Sequence, residues 1–128
     1  MRLEHVALYV EDLAGAVRFF EEYFGAQTND EYHNPRTGLR THFLTLPDGG
    51  GRVEVMTRPD MVDQPKDPMR TGLAHLAFKL GSRQAVDELT ERLAADGYEI
   101  LSGPRATGDG YYETQFLGFE GNVFEIAE

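Results

Sequence analysis

Glu4-His5-Val6-Ala7-Leu8 and Ala74-His75-Leu76-Ala77-Phe78 are one short pattern met twice, an alternating apolar strand with a histidine in the same place. The two histidines stand 70 positions apart. Outward from each strand the likeness continues. A cap residue, Asp12 or Ser82, opens a helical pattern, carried by Leu13, Val17, Phe20 and Phe24 in the first copy and by Ala85, Leu89 and Leu93 in the second. Each predicted helix stops at a glycine, Gly25 or Gly97, the residue that takes the left-handed conformation at least cost.

Beyond the helices each half predicts a short strand and then a strand pair joined by a turn. In the first half the pair is 41–46 with 52–57 around Asp48-Gly49-Gly50-Gly51; in the second it is 112–117 with 123–127 around Glu120-Gly121-Asn122. The last strand of each half carries one acidic residue, Glu54 in Val53-Glu54-Val55 and Glu125 in Phe124-Glu125-Ile126, 71 apart. The order β-α-β-β-β therefore occurs twice, an α+β organisation. Residues 58–71, with Pro59, Pro65, Pro68 and several charges, read as an extended connector. The expected layout is a single domain over 1–128, with module 1 at about 1–57, the connector at 58–71 and module 2 at about 72–128.

Composition narrows the partners. The chain has 128 residues, 41% of them hydrophobic, enough for the core of one domain. With 22 acidic against 12 basic residues the net charge is −10, which repels a phosphate backbone or an anionic lipid surface. No nucleic-acid or membrane partner is expected. Cysteine is absent, which removes disulfides, thiolate ligands and a thiol nucleophile together, so any metal must be held by nitrogen and oxygen. The N-terminal stretch has neither a signal peptide's apolar run nor a spanning helix, and the expected location is cytoplasmic.

Side chains alternate across a strand. Val6, Leu8 and Val10 share one face while His5, Ala7 and Tyr9 share the other; Leu76, Phe78 and Leu80 likewise oppose His75, Ala77 and Lys79. Glu54 lies opposite Val53 and Val55, and Glu125 opposite Phe124 and Ile126. All four polar residues thus point away from the helices. A lone histidine in a strand is more often a satisfied core residue than a ligand. Repetition alters that, since equivalent strands of two similar halves turn two His and two Glu into one cluster. A carboxylate in a half-buried strand costs several kcal/mol unless paired or bound to a cation. His5, Glu54, His75 and Glu125 are accordingly the expected metal ligands.

These stretches resemble the vicinal oxygen chelate superfamily, which includes glyoxalase I, fosfomycin-resistance transferases, methylmalonyl-CoA epimerase, extradiol dioxygenases and bleomycin-resistance proteins. The resemblance rests on Leu3-Glu4-His5-Val6-Ala7-Leu8 with Asp12-Leu13, on the Phe19-Phe20 to Phe24-Gly25 helix end, on Gly72-Leu73-Ala74-His75-Leu76-Ala77, and on Glu120-Gly121-Asn122 leading into Glu125-Ile126. It implies two βαβββ modules forming an open eight-stranded cup, the glyoxalase/bleomycin resistance/dihydroxybiphenyl dioxygenase fold, with the metal at its floor. It also implies a homodimer in which a site draws ligands from both chains.

The His-Glu-His-Glu set is similar to that of glyoxalase I; dioxygenases and fosfomycin transferases typically use two His and one Glu, and the epimerases place Gln second. Glu54 is the discriminating residue. Two imidazoles and two carboxylates on a six-coordinate ion suit Ni, Co, Mn or Zn with open positions for substrate. The resemblance implies a lyase or isomerase acting on a hemithioacetal or similar α-hydroxycarbonyl through an enediolate, with Glu125, mirrored by Glu54, as catalytic ligand and proton shuttle. A low-molecular-weight thiol would be the co-substrate. After the second ligand the chain reads Val55-Met56-Thr57-Arg58, where the glyoxalases usually continue with Leu-Thr and an aromatic residue, so glutathione is not specifically implied.

Candidates for holding substrate are few in so acidic a chain: Arg40 on a strand, Arg36 in the preceding loop, and Arg105. Residues 103–112, with three glycines before Tyr111-Tyr112, suit a mobile loop whose aromatic end lines the cup. His33, in a predicted loop, and His42 have no counterpart in the repeat and are not expected to be ligands. The competing readings are another activity of the superfamily, namely thiol transfer, oxygenation or epimerisation, and a non-catalytic small-molecule or drug-binding resistance protein.

Overall fold

The structure is a computed structural model that describes residues 1–67 and 69–128. Pro68, one of the three prolines read as marking the connector, lies outside the described residues. The chain divides into two compact units, Met1–Gln64 and Pro65–Glu128.

In the first unit β1 (His5–Tyr9) leads into α1 (Leu13–Phe24). Asp12 caps the helix, its side chain accepting from Gly15 N, and Gly25 closes it with φ 61°, where a Cβ would be strained. Then come β2 (Gln27–Thr28), β3 (Tyr32–His33), β4 (Arg40–Thr45) and β5 (Arg52–Thr57), with a 3-10 turn at Pro47–Gly49 inside the last connection. The sheet order is β1-β5-β4-β2, and β3 also pairs with β4. β1 runs parallel to β5, and β5 antiparallel to β4. Leu13, Ala16, Phe19, Phe20 and Phe24 of α1 are buried and close the core with Leu44, Val53 and Val55.

The second unit repeats the plan. β6 (Leu76–Lys79) leads to α2 (Arg83–Ala95), capped by Ser82, then β7 (Glu99–Ala106), β8 (Tyr112–Leu117) and β9 (Val123–Ala127), in the order β6-β9-β8-β7. Its parallel pair is β6 with β9, in the place of β1 with β5. The two βαβββ modules read from the sequence are thus present.

Three expectations are corrected. Nine strands rather than eight occur among the described residues, because His33, expected in a loop, joins Tyr32 in the short β3 against Arg40 and Thr41. The stretch 103–112 is not one mobile loop, since β7 continues to Ala106 and only the turn that follows is irregular. β7 slips register against β8 twice, between Ile100 and Ser102 and again between Ser102 and Arg105. Gly103, at φ 98°, sits inside the second slip, where an added Cβ would meet Glu113 O at 2.4 Å; such bulges hide a strand from an alternation test. Third, α2 buries Val86, Thr90 and Leu93 rather than Ala85, Leu89 and Leu93. Thr90 can lie inward because its hydroxyl donates to Val86 O and meets Thr114 Oγ1 at 2.8 Å. The expected glycine stop is present: α2 ends at Ala95 with Asp96 as its cap, and Gly97 just past it takes the left-handed conformation at φ 93°, its N–H donating to Ala94 O.

Candidate functional site

In each unit the helix covers one face of the sheet, and strand alternation puts the predicted ligands on the other. His5 opens β1, and Glu54 sits between buried Val53 and Val55 on β5. Because β1 and β5 are parallel with Ala7 beside Glu54, His5 stands two residues off and its ring reaches back: Nε2 lies 3.7 Å from Glu54 Oε2. In the second unit Ala77 is beside Glu125, and His75 Nε2 lies 3.6 Å from Glu125 Oε2. The same register produces the same pair twice.

The carboxylates are the more enclosed partners, with side chains 15% and 13% exposed for Glu54 and Glu125 against 38% and 35% for His5 and His75. Each is steadied by a neighbouring strand. Thr41 Oγ1 donates to Glu54 Oε1 at 2.8 Å, and Gln115 Nε2 donates to Glu125 Oε2 at 2.9 Å. The His–Glu separations are too long for hydrogen bonds. An ion bonded to both atoms at about 2.0–2.2 Å would hold them roughly 3–3.5 Å apart, so each pair needs only a small closure to become half of a divalent-metal site. Among the described residues no three His, Asp or Glu side chains stand together as a metal-holding group; the four predicted ligands are brought together as two pairs.

Sequence reasoning passed over several residues around these pairs. Glu4, just before β1, accepts hydrogen bonds from His5 Nδ1 and from Arg52, and these lower its carboxyl pKa, the His5 contact most. Glu113 shares its face of β8 with Gln115; burial first, then the charge of Glu125, raise its pKa, while Arg105 opposes the rise. Alternation applied to β8 as it was to β5 would have found Glu113 and Gln115, because Glu113, Gln115 and Leu117 alternate with buried Thr114 and Phe116.

The predicted substrate-holding residues separate. Arg105 reaches the helix-free face of the second unit, its Nη2 3.6 Å from Glu113 Oε1 and its Nε donating to Ser102 Oγ at 2.7 Å. Arg40 alternates with Thr41 onto the opposite face of β4 and is held by Glu31 through two bonds of 2.9 and 2.7 Å. Tyr112 turns toward α2, donating to Asp87 Oδ1 at 2.7 Å, with Arg83 stacked 5.0 Å above its ring. Tyr111 is exposed in the turn. His42 Nδ1 donates to Asn29 O at 3.0 Å, and neither it nor His33 joins the pairs. A cavity of about 350 Å³ lined by Tyr9, Arg58, Asp60, Met61 and Val62 lies at the far end of β1 from His5.

The model of the Glyoxalase/Bleomycin resistance protein/Dioxygenase superfamily matches residues 2–126. The chain belongs to this superfamily. Among relatives, the uncharacterized protein YqjT of Bacillus subtilis is 33% identical over 116 residues, covering 86% of this chain and 85% of that protein. YwkD of Bacillus subtilis, also uncharacterized, is 31% identical over 91 residues, 70% of each. A glyoxylase/bleomycin resistance protein/dioxygenase domain from Frankia sp. EAN1pec has a similar structure, with TM-score 0.83 at 23% identity over 99% of this chain and 96% of that one. The fosfomycin resistance protein FosX from Listeria monocytogenes, solved with Mn(II) and sulfate, has TM-score 0.70 at 22% identity over 98% and 90%. At such identities the superfamily fold is what is shared. Among the described residues no helix is long and apolar enough to cross a membrane.

Proposed function

We propose that this superfamily member is a metal-dependent lyase or isomerase of the glyoxalase I type, acting on a hemithioacetal or a similar α-hydroxycarbonyl. The observation that carries the reading is the duplicated His–Glu pair: two imidazole nitrogens each face a largely buried carboxylate at 3.6–3.7 Å, a spacing that a cation between them relieves. His5, Glu54, His75 and Glu125 are the ligands of one divalent ion, Ni, Co, Zn or Mn, and the Mn(II) in FosX is compatible with that choice. When bound, the ion supplies Lewis acidity that stabilises negative charge on two adjacent substrate oxygens.

The rest is done by the chain. Glu125 takes the proton from one substrate carbon and returns it to its neighbour, while Gln115 holds one of its oxygens by an amide hydrogen bond. Glu54, held in the same way by Thr41, is its mirror partner as ligand and proton shuttle. Arg105, beside Glu113, is the cation placed to meet an anionic group on the substrate or thiol. The pairs meet in a homodimer of cytoplasmic chains, with a small-molecule substrate.

The test is metal-reconstituted protein given methylglyoxal with a panel of low-molecular-weight thiols, with thioester formation followed. Metal-dependent isomerisation with at least one thiol is expected, and Glu125→Gln should lower kcat by about 10²–10⁴. Metal binding without isomerisation of any hemithioacetal would redirect the site to another activity of the superfamily. Tight ligand binding without turnover or metal would favour a resistance-type binding protein.

A further inference from the structure

Among the described residues, His5 is held by a ring of side chains with no counterpart around His75. Glu4 Oε2 accepts from His5 Nδ1, and Glu4 Oε1 accepts from Arg52 Nη2. Arg52 is the register partner of His5 on β5, and its guanidinium lies 4.3 Å over the ring of Phe43. Phe43 in turn meets the His5 imidazole edge-on, with centroids 5.3 Å apart and planes at 90°. Glu4, Arg52 and Phe43 thus fix the ring's position and its plane.

The consequence lies in the tautomer. A carboxylate against Nδ1 demands the proton there, which leaves Nε2 with its lone pair directed toward Glu54 Oε2, 3.7 Å away. Metal-binding histidines are commonly set in this way by a carboxylate on the second nitrogen. The second module has no such apparatus at the equivalent positions. Ala74 precedes His75, Val123 takes the register place of Arg52, and Gln115 stands opposite Glu125 as Phe43 stands opposite Glu54.

We infer that Glu4 is a positioning residue: it holds His5 as the Nδ1–H tautomer with Nε2 free to bind, so the first module presents a preset ligand and the second an adjustable one. The inference rests on the reading of His5 as a metal ligand. Arg52 keeps Glu4 in place from its other oxygen, and Phe43 stops the imidazole from turning over.

The test is ¹⁵N imidazole NMR of the full-length, metal-free chain at mildly alkaline pH, together with zinc affinity by chelator competition. Wild type, Glu4→Ala and Glu4→Gln are compared, and thermal unfolding confirms that the variants fold. In wild type the His5 signals should report the Nδ1–H tautomer. Glu4→Ala should move them toward the mixture of a free imidazole, leave His75 unchanged, and weaken zinc binding by about 10–100-fold. Glu4→Gln, whose amide oxygen still accepts from Nδ1, should recover part of both. Unchanged His5 signals in Glu4→Ala would overturn the inference. If the wild type binds no zinc the ligand reading fails, and the tautomer comparison still decides the role of Glu4.

Discussion

At the scale of single residues, Glu113 shows how an enclosed sheet face sets a carboxyl group. It is only 12% exposed and meets Glu125, and its pKa is raised chiefly by burial and next by that neighbouring charge. The folded protein therefore holds this proton more tightly than the unfolded chain does. The stability it contributes is fully present below about pH 4.5, the ordinary glutamate value, and is lost as pH rises through the folded pKa. At neutral pH its charge opposes folding. Glu113→Gln should raise the urea midpoint of the metal-free protein at neutral pH, with the advantage fading below pH 4.5; a lowered midpoint at neutral pH would refute this account of the residue. Alternation along β8 marks the face that Glu113 shares, but its meeting with Glu125 on the adjacent strand β9 comes from a register that the sequence does not print. His5 and His75 were legible because repetition marked them.

At the scale of elements, the parallel strand pairs were readable and the helix faces only partly so. His5 with Glu54 and His75 with Glu125 follow from two-residue alternation and the repeated order, and the register Ala7 to Glu54 recurs as Ala77 to Glu125. The inward face of α2 was misjudged because Thr90 counts as polar in a periodicity test. In the fold its hydroxyl lies 2.7 Å from Val86 O and 2.8 Å from Thr114 Oγ1, so helix and sheet satisfy each other's polar atoms. Thr90→Val should cost roughly 1–3 kcal/mol, because the fully buried Thr114 hydroxyl loses its partner. The double replacement Thr90→Val with Thr114→Val should cost less than the two single changes together. Additive losses in urea titrations of the four proteins would show that the hydroxyls do not depend on one another. β7 is longer than the short strand expected there for a different reason: its two register slips break the alternation by which a strand is recognised.

At the scale of the whole molecule, a duplicated module places matching His–Glu pairs at matching registers, in an acidic chain of net charge −10. Substrate identity was not legible, since Arg40 and Tyr112 are committed to Glu31 and Asp87, while Arg105 reaches the face of the second unit that bears Glu113. The fold reads from a repeat, whereas specificity depends on which way individual side chains turn. The claim on which the functional account stands is that His5, Glu54, His75 and Glu125 hold one divalent ion. Bound metal per chain, measured on tag-free protein after loading with Ni, Co, Zn or Mn, tests it most directly. The account predicts near-stoichiometric metal in the wild type and its loss in both Glu54→Gln and His75→Ala; a wild type that retains no divalent metal under any loading would contradict it.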